Sequence, residues 1–319
     1  MLGAVRIFEM SEMSKRNPAL GAGLALAGAL LFGLNASTSK VLIQSGIEPS
    51  DLVLFRSLAT AAIAALVLLF TNRAAFKIHW RELPRMLTFG VIGVALMQWA
   101  YSQAVSNLQV GVALLIEYTA IIWVPLVSLI IFKQRLRSRI WVAVALVLCG
   151  LVVVSNIWDG GLNAIGVVYA FMAAAFLTLY FIMGERLQQT RDTMSTLMYS
   201  MLVSSLFWMA LSPWASLDAA RLGSSVSLNG NLADVELPLW VLLIWLGVFG
   251  SFVPMALSYR ALHHLSATGV GIASTAETVF AFAFGFLWLN EQISGTQMVG
   301  GLLVLTGIIL AQTARPKTR

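Results

Sequence analysis

The chain has 319 residues, 59% of them hydrophobic and 11% charged, with a mean hydropathy of +0.85. A soluble domain carries about 25% charged residues, so this chain cannot clothe a water-facing surface, and its formal net charge of +6 reads through placement rather than as a nucleic-acid footprint. The single Cys149 excludes an intrachain disulfide and reads as a small side chain facing lipid or a neighbouring helix.

In chain order, residues 1–18 carry mixed charges without an apolar core and are expected to form a cytoplasmic N-terminal segment, not a cleaved signal. Met10 and Met13 are alternative starts within it. A helix crossing the hydrocarbon core needs about 20 mostly apolar residues. Ten stretches meet or approach that length: 19–43, 51–70, 86–105, 110–132 and 140–155, then 164–184, 193–211, 238–259, 267–289 and 296–312. Connections are tight except at 212–237, a polar stretch rich in Ser, Asn, Asp and Gly that is expected to be an exposed loop.

The basic residues alternate with this count. Arg73, Lys77, Arg81 and Arg85 lie between spans 2 and 3, and Lys133, Arg135, Arg137 and Arg139 between 4 and 5. Arg186 and Arg191 lie between 6 and 7; Lys15, Arg16, Arg260, Arg315, Lys317 and Arg319 fall on the same side. The opposite loops hold Glu48, Asp159, Asp218, Asp234, Glu236 and one arginine, Arg221. The positive-inside rule then puts both termini in the cytoplasm. The expected location is a bacterial plasma (inner) membrane, crossed many times, with 313–319 as a basic cytoplasmic tail.

The halves resemble each other. Ala104-Val-Ser-Asn-Leu108 echoes Ala261-Leu-His-His-Leu265, and each precedes a span with one internal glutamate, Glu117 or Glu277. A polar break follows, Lys133-Gln-Arg-Leu136 or Asn290-Glu-Gln-Ile293, and the last span of each half carries a late glycine, Gly150 or Gly307. The fold class expected is all-α integral membrane, ten transmembrane helices in two five-helix repeats, 19–155 and 164–312. An odd number of helices per unit forces the second copy to enter the membrane inverted. Inverted repeats are an architecture of alternating-access transporters, with substrate sites near the midplane.

On these residues the chain resembles the ten-helix EamA-type proteins of the drug/metabolite transporter superfamily, from Gly28 to Gln312. The likeness rests on Lys40, Pro49 and Phe55-Arg56, on Ile116-Glu-Tyr-Thr-Ala120, and on Ala276-Glu-Thr278, Leu289-Asn-Glu291, Gly300 and Gly307. The string Glu117-Tyr-Thr-Ala120 is similar to that of threonine/homoserine-type amino-acid exporters. The resemblance implies a secondary transporter exporting or exchanging a small polar metabolite, an amino acid first, with drugs or other metabolites as the alternative. It departs where Ile121 and Thr278 stand in the place of a proline often found after these glutamates.

Ionisable side chains within a span cost roughly 2.5–3.5 kcal/mol and usually face the bundle interior. Four qualify: Lys40, Arg56, Glu117 and Glu277. The glutamates are candidates to bind a substrate amine or a coupling proton, against a structural reading in which each caps a broken helix. Arg56 either receives a substrate carboxylate or pairs with Glu117. Lys40, near the end of span 1, is expected to snorkel to the headgroups. Gln98 and Trp99, with Asn35 and Tyr180, are candidates to line a pocket, whereas Tyr101 and most tryptophans read as interfacial belt residues. No H-E-x-x-H pair, G-x-S-x-G elbow or Walker motif is present, so neither an enzyme nor a self-powered pump is expected. The expected partners are a small-molecule substrate, a coupling proton and the bilayer, with a homodimer left open; no nucleic acid, metal or cofactor is expected.

Overall fold

The computed structural model describes residues 17–132, 138–154, 162–188, 191–212, 219–262, 264–265, 270 and 273–314. The expectations for the N-terminal segment, the 133–136 break, Asp159, Asp218, His263 and the basic tail lie outside the described residues.

Local signals set the helix starts. Pro18 opens α1 (Pro18–Gln44), where the Asn17 side chain accepts from Leu20 N–H, and Pro49 opens α2 (Pro49–Thr71). Proline suits the first turn because its missing N–H would have no intrahelical partner there. Between them Gly46, at φ +92°, makes a turn that a side chain would strain. The chain continues through α3 (83–107), the two pieces of α4 (Val110–Glu117 and Ala120–Phe132) and α5 (Ser138–Val154). The second half comprises α6 (Ala164–Gln188), α7 (Thr193–Leu211), α8 (239–262), α9 (Ala276–Leu287) and α10 (Gly295–Ala314). Helices α1–α3 and α6–α8 are long and apolar enough to cross a membrane, whereas α4, α5, α9 and α10 are shorter apolar helices among the described residues. The division into long and short helices is therefore the same in both halves.

Packing repeats the symmetry. Helix α7 lies along α2, α10 along α5 and α9 against α4, each pair joining equivalent helices. The remaining main contacts come in matched pairs: α3–α6 with α8–α1, α4–α6 with α9–α1, and α3–α7 with α8–α2. Exchanging the halves maps this set onto itself, as two inverted five-helix repeats require. Glycines at the α5–α10 seam permit the close approach, since a Cβ on Gly150 would strike the Gly300 carbonyl and one on Gly307 the Ala143 carbonyl. Helix exteriors present apolar side chains such as Leu66, Phe70, Val168, Ile244 and Leu302, and Cys149 is exposed among them as expected.

Two irregularities also recur at equivalent places. Helix α3 contains a π-helical stretch, Phe89–Leu96, and α8 contains another, Val248–Phe252. In α8 the stretch precedes Pro254, whose ring cannot donate to or sit close beneath the carbonyl one turn earlier, so the ladder widens there. Helix α4 is interrupted at Tyr118–Thr119, where Thr119 N–H bonds to the Ile116 carbonyl at 3.1 Å. Helix α9 begins after a similar tightening, with Thr278 N–H on the Thr275 carbonyl at 3.2 Å. Glu117 closes the first piece of α4 and Glu277 opens α9.

The connection 212–237 is largely exposed among its described residues, as expected, but it is not without structure. Strands β1 (Ser225–Ser227) and β2 (Glu236–Pro238) pair antiparallel, and Val226 and Leu228 are buried with Val41, Leu52 and Leu246. Asn229 and Gly230 both have positive φ, and Trp288 Nε1–H donates to the Leu228 carbonyl at 2.8 Å. The ribbon thus sits on the ends of α1, α2, α8 and α9. This is called the hairpin end below; the opposite, arginine-rich one is the basic end.

Candidate functional site

The charged residues within the spans converge from both repeats. Glu117 is 6% exposed and Arg56 8%. Arg56 lies within electrostatic reach of Tyr101, Glu277 and Glu117, but the direct Arg56–Glu117 pair is not formed. Instead Arg56 Nε–H donates to Ser251 Oγ at 2.5 Å, from a serine in the π-helical turn of α8. Across the repeat interface, the Tyr118 hydroxyl donates to Glu277 Oε2 at 2.6 Å. Glu117 has no such partner: among the described residues no side chain or backbone N–H donates to its carboxylate.

The helix breaks explain this difference. An α-helix sends neighbouring residues about 100° apart, and the tightened turn at Tyr118 directs the phenol toward α9. Glu117, one residue earlier, stays at the end of the first α4 piece with its oxygens unclaimed.

The other predicted site residues are placed as follows. Asn35 on α1 presses its side-chain oxygen against Gly250 of α8, and that oxygen has no hydrogen-bond partner among the described residues. Gln98 is buried, its Nε2 3.7 Å from Met201 Sδ and its Oε1 without a partner. Trp99 is half-buried between Tyr169, with ring centroids 5.5 Å apart, and Trp208 at 5.9 Å. Tyr180 stacks on Phe89 at 5.2 Å and lines a very small void with Thr196 and Met201. The structure therefore brings Arg56, Glu117 and Glu277 together, and gathers Trp99 and Tyr180 into aromatic clusters of their own.

Two expectations are corrected. Tyr101 is not an interfacial belt residue: it is 7% exposed, within electrostatic reach of Glu117, Glu277, Arg56 and Glu291, and its hydroxyl has no partner among the described residues. Lys40 does not snorkel to headgroups. Its ammonium contacts Glu291 Oε1 at 2.6 Å and donates to the Leu108 carbonyl at 2.7 Å. The reason is that α9 and the α3–α4 connection cover the end of α1, so a buried carboxylate is nearer than the membrane surface. Sequence reading also missed Tyr118 and Ser251. The in-span tyrosine beside a glutamate was a usable signal for the first, whereas nothing in the sequence marked the second.

At the basic end, Arg191 pairs with Glu82 at 2.7 Å and donates to the carbonyls of Ala75 and Lys77. This holds the α2–α3 connection to the start of α7. Among the described residues no three His, Cys, Asp or Glu side chains gather as a metal-ligand set.

Ionisable residues from both copies of an inverted repeat converge at interrupted helices, an arrangement that suits a multi-pass membrane transporter. The chain belongs to the EamA-like transporter family, whose model matches residues 19–156 and again 164–313. It is similar to an uncharacterized transporter of Archaeoglobus fulgidus, at 22% identity over 239 residues, covering 75% of this chain and 81% of the relative. It is also similar to the uncharacterized transporter YdfC of Bacillus subtilis, at 19% identity over 290 residues and 89% of each chain. A solved crystal structure shares the fold with a TM-score of 0.61 at 16% identity, covering 91% of this chain and 96% of the other.

Proposed function

We propose that this chain is a secondary transporter that exports or exchanges a small polar metabolite, an amino acid in the first instance, by alternating access. The observation that carries the reading is Glu117: a carboxylate at a helix break, 6% exposed, with no donor among the described residues. A substrate ammonium or a coupling proton supplies the missing partner. Arg56, held by Ser251, offers positive charge to a substrate carboxylate in the same space, and Glu277 joins the repeats through Tyr118. The basic loops support cytoplasmic termini in a bacterial inner membrane, with the hairpin end facing outward.

The test is uptake of a labelled amino-acid panel into proteoliposomes, with and without an imposed pH gradient, beside Glu117→Gln. Saturable, gradient-sensitive uptake that the variant loses supports the reading. Folded protein that moves no amino acid sinks the substrate class. Uptake with an unaltered gradient response in Glu117→Gln sinks the assigned role of the carboxylate.

A further inference from the structure

Along α1, positions 33, 37 and 40 lie on one face, because residues three and four apart stack on a helix. Gly33 abuts the Glu277 carbonyl, Phe280 and Ala281 of α9, which fixes this face toward the second repeat at the level of the carboxylates. Lys40, at the other end of the stripe, contacts Glu291. Ser37 lies between them, one helical turn from Gly33. It is fully buried and its hydroxyl has no partner among the described residues. The Tyr101 hydroxyl is likewise buried and unpartnered, and it is electrostatically coupled both to the central glutamates and to Glu291. Buried polar groups in proteins are nearly always hydrogen-bonded, and in a membrane nothing else in the surroundings compensates them. Two unpartnered buried hydroxyls, one on the α1 face between the charged clusters and one electrostatically linked to both, are groups that water would satisfy.

The end of that line is closed by an unusually complete set of bonds. The Glu291 carboxylate accepts from Lys40 and also from Val110 N–H, at 3.3 and 3.1 Å. Gln109 Nε2 donates to the Gln292 carbonyl at 2.7 Å. The cluster ties α1 and the α3–α4 connection of one repeat to the α9–α10 connection of the other, so it must break if the repeats part at the hairpin end. The first repeat does not encode the same lock: its break reads Lys133-Gln134-Arg135, with an amide where the second repeat has Glu291.

We infer that Lys40 and Glu291 form the gate of the hairpin-end route to the central carboxylates, a route that passes Ser37 and Tyr101. The inference rests on the transport reading for its purpose, but its test needs no substrate. In a Cys149→Ser background, Ser37→Cys is exposed to a charged, membrane-impermeant thiol reagent applied separately to each face of sealed vesicles. With the gate intact, labelling is slow from both faces. Adding Glu291→Gln or Lys40→Met raises the rate about tenfold or more from the hairpin face alone, the change expected when a closed state loses about 1.4 kcal/mol of its advantage. If Glu291→Gln fails to accumulate as folded protein, Lys40→Met gives the same reading with the Val110 cap intact. Unchanged labelling in the folded variants, or an equal rise from both faces, overturns the gate. Transport loss with unchanged labelling overturns the gate while leaving the transport reading standing. Gated labelling in a protein that moves no amino acid supports the gate and overturns the substrate class.

Discussion

Glu117 and Glu277 occupy matching places in the two repeats and are held in opposite ways. Glu277 is partly buried, takes the Tyr118 hydroxyl at 2.6 Å and belongs to a bond that spans the repeat interface. Glu117 is more deeply buried and has no donor among the described residues. A duplicated architecture delivers two carboxylates to one region, and one tyrosine then makes them chemically unequal. A hydrogen-bonded carboxylate is suited to holding the repeats in register, and an unpartnered one to receiving a ligand.

The largest expected effect that tests this inequality is on Glu117. Glu117→Gln should lower transport about 30-fold or more, because losing one partner of a buried charged contact costs roughly 2–5 kcal/mol. Glu277→Gln should cost markedly less, since glutamine still accepts from Tyr118. Equal losses, read as initial uptake rates, would erase the distinction. Next comes Gly33→Val, which drives a Cβ into Phe280 and the α9 backbone beside Glu277. Overpacking of this kind costs about 1–3 kcal/mol, visible as a lower thermal midpoint in detergent, and the Glu117 phenotype should not be reproduced by it. Tyr118→Phe removes the one donor that the Glu277 carboxylate takes across the repeat interface, so its effect should be about 1.5–3 kcal/mol. In a double-mutant cycle with Glu277→Gln the two changes should be non-additive, whereas with Glu117→Gln they should add more nearly. The smallest effect belongs to the control at the basic end. Glu82 is 37% exposed in its pair with Arg191, so Glu82→Gln should shift stability by less than about 1 kcal/mol and leave uptake unchanged.

The sequence made the membrane class, the ten spans and the repeat legible through hydropathy, loop charge and the echoed glutamates. In-span charges are rare enough that Arg56, Glu117 and Glu277 stood out without a structure. Their partners did not, because pairing is a tertiary event: Lys40 and Glu291 are 251 residues apart in sequence, and Lys40 near a span end satisfies the snorkelling rule equally well. The interruptions of α4 and α9 carry no Gly or Pro to announce them; they fall at Tyr118-Thr119 and beside Thr275. The ribbon was more accessible than its polar composition suggested. Asn229-Gly230 marks a turn through the positive φ both residues adopt, and alternation around Val226 and Leu228 matches their burial.

The π-helical stretches of α3 and α8 carry a consequence for how these helices can move. Such a stretch holds a surplus residue within the helical ladder. Passing that surplus along by one hydrogen bond at a time leaves both helix ends anchored. Each side chain it passes turns by about 100° around the axis. Gln98 and Tyr101 follow the stretch in α3 and Ser258 follows the one in α8, so shifting the surplus would re-aim polar and lipid-facing side chains together, and in α8 Pro254 stands directly in its path.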